Sequence, residues 1–409
     1  MYTTIEKCRI SGSTNLIEVL SLGEQFLTGV FPKTKEEPVT KGPLDLLWCP
    51  ESGLLQLKHS YSPEEMYGTN YGYRSGLNRS MIEHLKNKVK SLESQTELNS
   101  DDLVIDIGSN DATTLKAYTG KHGKVGIDPV GLKYKHFYPR DITLIPDFFS
   151  AELFKQFFPG KLAKIITSIA MFYDLEDPAA FTKDIEKCLA DDGIWHFEQS
   201  YMPSMLRTNA YDTICHEHLE FYSLKVVKKL LEDCNMRVLD VQLNAINGGS
   251  FAVTACKTHA PYSSNNSIIN WMIQQEDALG LHTLKPYIEF SSRVHKHRKS
   301  LRDLIQSLIE DGKKILGYGA STKGNVLLQF CQFSSKQIPF IAEVNEDKYG
   351  CFTPGTHIPI IPEREARAMN PDYFLVLPWH FKHSILEREK KFISNGGRFI
   401  FPLPEIEIF

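Results

Sequence analysis

Two clusters of side chains have the types and spacing to do chemistry. The first is Asp106-Ile107-Gly108-Ser109-Asn110-Asp111, which follows the apolar run Leu103-Val104-Ile105 and is answered about 20 residues on by Asp128, at the end of Lys124-Val125-Gly126-Ile127. A buried strand, a glycine turn, a helix over Ala112 to Thr119 and a second strand closing on a carboxylate make a nucleoside site. The turn lets a ligand approach the backbone, and the carboxylate can accept hydrogen bonds from two ribose hydroxyls. A dinucleotide turn needs G-x-G-x-x-G so that a pyrophosphate can sit on a helix N-terminus, and Gly108 to Thr113 supplies only the first glycine. Asp106 and Asp111 would repel a pyrophosphate and suit a cation. The pattern therefore points to S-adenosylmethionine held by Asp106, Gly108, Asn110, Asp111 and Asp128, against the plainer reading of a βαβ turn with capping acids.

The second cluster is His216-Glu217-His218, inside Tyr211 to Tyr222. Residues i and i+2 do not share a helix face, so this is not the H-E-x-x-H zinc helix. In a loop or strand the two rings could point the same way, and an adjacent carboxylate can orient a histidine that takes up a proton. The plainer reading for any one of them is a buried structural histidine.

The elements that must position these groups follow an α/β alternation. Ile142 to Phe149 reads as a third strand ending in Asp147-Phe148, an acid and a ring suited to adenine's amino group and face. Lys164 to Ile169 is a fourth strand, with Ser168 assigned to the same site; Asp177 to Ala190 is a helix; Gly193 to Glu198 is a fifth strand. Such alternation implies a mostly parallel doubly wound sheet with ligands at the carboxyl ends of its strands. Asn244 to Thr254 is a strand reached through the tight turn Gly248-Gly249. Residues 263–311 read as a helical connector. A second α/β unit begins at Lys314, where Gly317-Tyr318-Gly319-Ala320-Ser321-Thr322-Lys323-Gly324-Asn325 is a glycine turn after a strand. It fits neither the P-loop nor G-x-G-x-x-G. Lys323, Asn325 and Glu343, the last at the end of a further strand, are assigned to phosphate and ribose. Two nucleoside-type units suggest two nucleotide-bearing ligands; the plainer alternative is a scaffold with a vestigial site.

Upstream, Cys8-Arg9-Ile10-Ser11 and Cys49-Pro50-Glu51-Ser52 are two half-knuckles about 40 residues apart. Serine is a poor zinc ligand, so zinc is doubtful and no metal is assigned. Tyr67, Tyr71 and Tyr73 cluster in a glycine-broken loop where phenols could face a ligand, and a helix starts near Ser75. At 409 residues the chain needs two or three domains. The expected division is 1–75, 76–262, the connector 263–311, and 312–409. A net charge of −4 gives no reason to expect nucleic acid or a membrane surface as partner. No apolar run reaches the length of a membrane helix, Met1 to Ser13 lacks a signal core, and eight scattered cysteines suit reduced thiols, so a cytoplasmic location is expected.

Read together, DIGSNDAT with GIDP, the HEH loop, INGGSF, LGYGASTKGN, CFTPGTHIP, VLPWH and GGRFIFPLP resemble the sugar C-methyltransferases, over nearly the whole chain. The resemblance implies a zinc-type N-terminal domain, here degenerate, a central class I S-adenosylmethionine domain of Rossmann-like α/β fold and a C-terminal Rossmann-like α/β domain. It also implies transfer of a methyl to C3 of a nucleotide-linked 4-keto-6-deoxyhexose, the nucleotide being thymidine diphosphate. His218 matches the base that removes the C3 proton, with Glu217 and His216 orienting it. Tyr71, Tyr73 or Tyr222 would donate to the enolate oxygen, and the carbanion would attack the methyl in line. The family often carries a histidine near the sugar where Tyr173 stands. An O- or N-methyltransferase and a silent nucleotide-binding module remain as alternatives.

Overall fold

The computed structural model describes residues 2–66 and 73–409, with the side chain of Glu64 left out. Its central sheet has seven strands in the spatial order Met236–Asn244, Ser250–Lys257, Leu189–Ser200, Ala163–Ile169, Leu103–Ile107, Gly123–Ile127 and Ile142–Ile145. The last five pair in parallel. Ser250–Lys257 runs antiparallel to both of its neighbours. A parallel strand is covered on both faces, which is why Leu103–Ile107 is an unbroken apolar run apart from one acid, with every residue buried. The chain fills the sheet outward from Leu103–Ile107 on one side, then crosses to Ala163–Ile169 on the other. A ligand crevice opens at the carboxyl ends where the order reverses, and Asp106 stands there.

The helix expected over Ala112 to Thr119 is reduced to a single 3-10 turn, Leu115–Ala117. Asn110 and Ala112 take φ of 49° and 60°, left-handed values that interrupt helix geometry, and two β-branched residues follow. No long helix dipole therefore faces the turn, in keeping with a cationic rather than an anionic ligand. The third strand likewise ends at Ile145, two residues short of Asp147.

The N-terminal residues form a four-stranded sheet from Ile17–Phe26, Lys41–Trp48, Leu55–Leu57 and, from far downstream, Glu220–Phe221. Glu220 pairs with Gln56 and Phe221 with Leu55. The His-Glu-His loop is therefore clamped between the N-terminal sheet and the central domain.

A six-stranded sheet closes the chain, ordered Ile360–Pro362, Ile341–Glu343, Ile315–Tyr318, Tyr373–Val376, Arg398–Phe401 and Glu407–Ile408. The segment read as a connector holds two helices, Asn266–Ala278 and Lys285–Glu310. The second buries Tyr287, Phe290, Val294, Leu301 and Ile305 at helical spacing. Its Tyr287 ring stacks on Trp48 at 5.2 Å, so this helix is part of the core joining the first and last sheets.

The same seam explains Asn325. It is fully buried, and its Nδ2 donates to the Thr28 carbonyl at 2.7 Å. One turn on, Gln329 bonds both the N–H and the carbonyl of Phe26. Asn325→Ala is expected to lower stability by about 1–3 kcal/mol, the usual cost of orphaning a buried hydrogen-bond partner, without changing substrate KM. Denaturant unfolding beside steady-state kinetics checks this; a raised KM at unchanged stability would return Asn325 to the ligand.

Candidate active site

The strand Leu103–Ile107 delivers Asp106 to the floor of a cavity of about 240 Å³. Thr167 Oγ1 donates to Asp106 Oδ1 at 2.5 Å, yet burial pushes this carboxyl up to about 7. Gly108 follows with φ of 72°, and a Cβ there would press Met171 at 3.2 Å. Only glycine serves, leaving the backbone open to a ligand. At the end of Gly123–Ile127, the Asp128 carboxylate accepts from the N–H of Asn110 and of Val130, both at 2.7 Å. Its orientation at the cavity wall is thereby set. Asp147 and Phe148 line the rim, the Phe148 ring 51% exposed although it is apolar.

The turn also holds down its own cover. Asn110 Oδ1 accepts from Ser75 N at 3.0 Å and its Nδ2 donates to the Tyr73 carbonyl at 3.2 Å. Asp111 Oδ2 accepts from Gly76 N at 3.0 Å. Asp111 is absent from the cavity lining: it is buried beneath the segment Tyr73–Gly76 and accepts from the N–H of Gly76. Ser168 is also misassigned by the sequence, because its Oγ accepts from the Trp195 indole inside the fully buried sheet. Sequence reasoning missed Glu198, at the end of the fifth strand. It bonds His84 Nε2, Lys88 Nζ and Asn244 Nδ2, each at 2.7 Å. Burial alone would raise its carboxyl, but His84 and Lys88 hold it below the ordinary range. A further strand read as ending in an acid, after Asp106, Asp128 and Asp147, was the available signal.

A second cavity of about 560 Å³, more than twice the first, opens among the four-, seven- and six-stranded sheets. Gly29 and Phe31 come from the N-terminal domain, Tyr173, Glu217 and His218 from the central one, Lys323 and Glu343 from the C-terminal one. Tyr73, Met81, Ala170, Asp174 and Asn247 line both cavities. Groups bound in the two would meet across that shared wall.

His218 Nδ1 lies 2.8 Å from the Thr213 carbonyl. A carbonyl only accepts, so Nδ1 carries the hydrogen and Nε2 keeps its lone pair. Burial and the Lys323 charge, against the Thr213 carbonyl, hold this imidazole down to about 3, so the ring is neutral at any working pH. Tyr173 packs on it with ring centroids 4.2 Å apart. Burial raises the Glu217 carboxyl, which enters the space that a side chain on Gly29 would fill.

His216 does not join them. The backbone turns here, His218 N donating to the Cys215 carbonyl, so the two rings diverge instead of sharing a strand face. His216 is fully buried, edge-on to Tyr61 at 4.6 Å, and burial holds it neutral. Tyr222 is also off the cavity, fully buried and stacked on Phe172 at 5.4 Å. Neither can reach a substrate. Tyr73 lines both cavities, whereas Tyr67 and Tyr71 lie outside the described residues. Glu343 repeats the Asp128 arrangement, accepting from the N–H of Ala320, Val344 and Asn345 at 2.6–2.8 Å. Lys323 lines the cavity, but its Nζ donates to the Asn247 carbonyl at 2.7 Å. Asn247, with φ of 54° in the turn before Gly248, was not singled out, though N-G-G is a turn signal.

Three family models match in succession: "Putative zinc binding domain" at 8–67, "Methyltransferase domain" at 77–241 and "C-methyltransferase C-terminal domain" at 245–404. Over 405 residues the chain is 31% identical to C-methyltransferase NovU of Streptomyces niveus, covering 98% of this chain and 96% of that one. The chain belongs to the sugar C-methyltransferase family. As a member of it, the protein is an S-adenosylmethionine-dependent C-methyltransferase. Among solved structures, the plantazolicin methyltransferase BpumL bound to S-adenosylhomocysteine is 10% identical with a TM-score of 0.35, covering 42% of this chain and 83% of that one. The mitomycin 7-O-methyltransferase MmcR is 14% identical with a TM-score of 0.34, covering 44% and 54%. No described helix of this C-methyltransferase is long and apolar enough to cross a membrane.

The first cavity's donor set fits S-adenosylmethionine. Asp128 would hold the ribose, Asp106 the ammonium side, and Asp147 with the Phe148 ring the adenine. In that role Asp106 would give the site a proton linkage. Its carboxyl, at about 7, would be lowered by a bound cation, so binding should release a proton and affinity should fall by up to about tenfold per pH unit below pH 7. Titration calorimetry near pH 6.5, in two buffers of different ionisation enthalpy, should register that release; no net proton would count against the assignment.

Proposed function

We propose that this C-methyltransferase methylates C3 of a nucleotide-linked 4-keto-6-deoxyhexose, with thymidine diphosphate as the nucleotide, in making a branched-chain deoxysugar. The observation that carries the reading is the placement of a neutral His218, its Nδ1–H fixed on a backbone carbonyl, in a large cavity sharing a wall with the donor cavity. A proton beside a C4 ketone is acidic because its carbanion delocalises onto the ketone oxygen. His218 Nε2 is the base that takes it, and Thr213 fixes the ring's tautomer and direction. Burial is the larger cause that holds His218 down, and anionic phosphates near Lys323 would offset only the smaller contribution of that lysine's charge. Tyr173 and Tyr73 are the described phenols able to donate to the developing enolate oxygen. Bound S-adenosylmethionine supplies an electrophilic methyl, and the residues around the shared wall supply positioning and exclude water.

Incubation with S-adenosylmethionine and thymidine-diphosphate 4-keto-6-deoxyglucose, or its 3-deoxy relative, tests the substrate class. Mass spectrometry should show one added methyl and proton NMR should place it on C3. A methyl on oxygen or nitrogen would overturn the carbon acceptor; no transfer to either sugar would overturn the substrate class.

A further inference from the structure

The N-terminal domain keeps the framework of a metal knuckle pair without the donors. Both half-motifs read C-x-x-S-G, and both fold alike. Gly12 and Gly53 take φ of 69° and 75°, and their N–H groups donate to the carbonyls of Cys8 and Cys49 at 2.9 and 2.8 Å. Across the pair, Cys8 Sγ lies 3.2 Å from Ser52 Oγ and Ser11 Oγ lies 3.6 Å from Cys49 Sγ. In a tetrahedral four-thiolate site with Zn–S near 2.3 Å, sulfurs stand roughly 3.8 Å apart. Within each cross-knuckle pair the two side chains thus stand close to the spacing of such a site, with a hydroxyl in place of one thiolate.

The donor set does not fit zinc. Two thiolates leave half the coordination to neutral hydroxyls, and among the described residues no group of three or more His, Cys, Asp or Glu could hold a metal. The hydroxyls also have other work: Ser52 Oγ accepts from Leu54 N and Ser11 Oγ from Ser13 N. Arg9 adds a further tie between the knuckles' surroundings, donating to the Leu57 carbonyl and Ser60 Oγ at 2.7 and 2.8 Å.

We infer that thiol–hydroxyl pairs have replaced the metal, so that the domain folds without zinc while its frame remains able to accept one. Three results are expected together. Protein purified from zinc-supplemented culture carries well under about 0.1 zinc per chain, and its melting temperature is unchanged by a strong chelator. The double variant S11C/S52C takes up about one zinc and melts lower once chelated. S11A/S52A, which cannot bind metal, melts about 2–4 °C below the wild type whether or not chelator is present. About one zinc in the wild type, or a chelator-dependent loss of melting temperature, would overturn metal-free folding. S11C/S52C that takes up no zinc, or that melts at the same temperature with and without chelator, would overturn the retained frame. If that variant fails to fold, S11A/S52A decides, since unchanged melting would show that the hydroxyls hold nothing.

Discussion

His218→Ala is expected to lower kcat for methyl transfer by about 10³-fold, within the range that a positioned general base contributes, while the affinity for S-adenosylmethionine changes by less than about twofold. The asymmetry follows from placement: His218 lines only the second cavity, and the first is built from other side chains. The loss should fall on kcat, because in the proposed role the ring would take a proton at the transition state and need not hold the ground-state substrate. His218→Gln keeps a donor for the Thr213 carbonyl but no basic nitrogen, so it should be as inactive as alanine and more stable. Rapid-quench single turnovers with calorimetric donor titration check both. A drop of less than tenfold would assign the proton to another group, and a parallel loss of donor binding would make His218 structural.

Asp128→Ala should weaken S-adenosylmethionine binding by about 10²-fold or more. The carboxylate makes two charge-assisted hydrogen bonds, to Asn110 N and Val130 N, each of a kind worth about 1.5–3 kcal/mol. Losing them frees the turn as well as removing an acceptor for the ribose. The damage spreads, because Asn110 in turn anchors Tyr73 and Ser75 over the cavity. Asp128→Asn keeps one acceptor oxygen and should fall in between, near tenfold. Calorimetry on both variants gives the test; an Asp128→Ala affinity within about threefold of the wild type would remove this carboxylate from the donor site.

The sheet around Asp106 was legible because parallel strands buried on both faces write themselves as apolar runs, and their ends as acids beside glycine. Asp106, Gly108, Asn110, Asp128, Asp147 and Phe148 all line one cavity because strand ends in such a sheet gather at one edge. What period and motif could not show was which polar residue faces inward. Asn110 and Asp111 are sequence neighbours and both bond the covering segment, yet only Asn110 also lines the cavity. His216 and His218 diverge because the chain turns between them, where a loop or strand could have pointed both rings the same way. Asn325 was read as a phosphate contact because it follows a glycine turn; it faces the N-terminal domain, a contact about 300 residues away in sequence that no local pattern encodes. Glu198 needed its partners His84 and Lys88 from a helix far upstream before its role as a cavity wall could be seen.

In the proposed reaction a carbon acid is deprotonated in the second cavity by His218. The most direct test of this step is proton NMR of thymidine-diphosphate 4-keto-6-deoxyglucose in deuterated water, with enzyme and S-adenosylhomocysteine but no methyl donor. The C3 proton signal is expected to disappear with the wild type and to persist with His218→Ala. Exchange that is equally fast in the variant, or methylation by the wild type with no detectable C3 exchange in the absence of donor, would contradict this step.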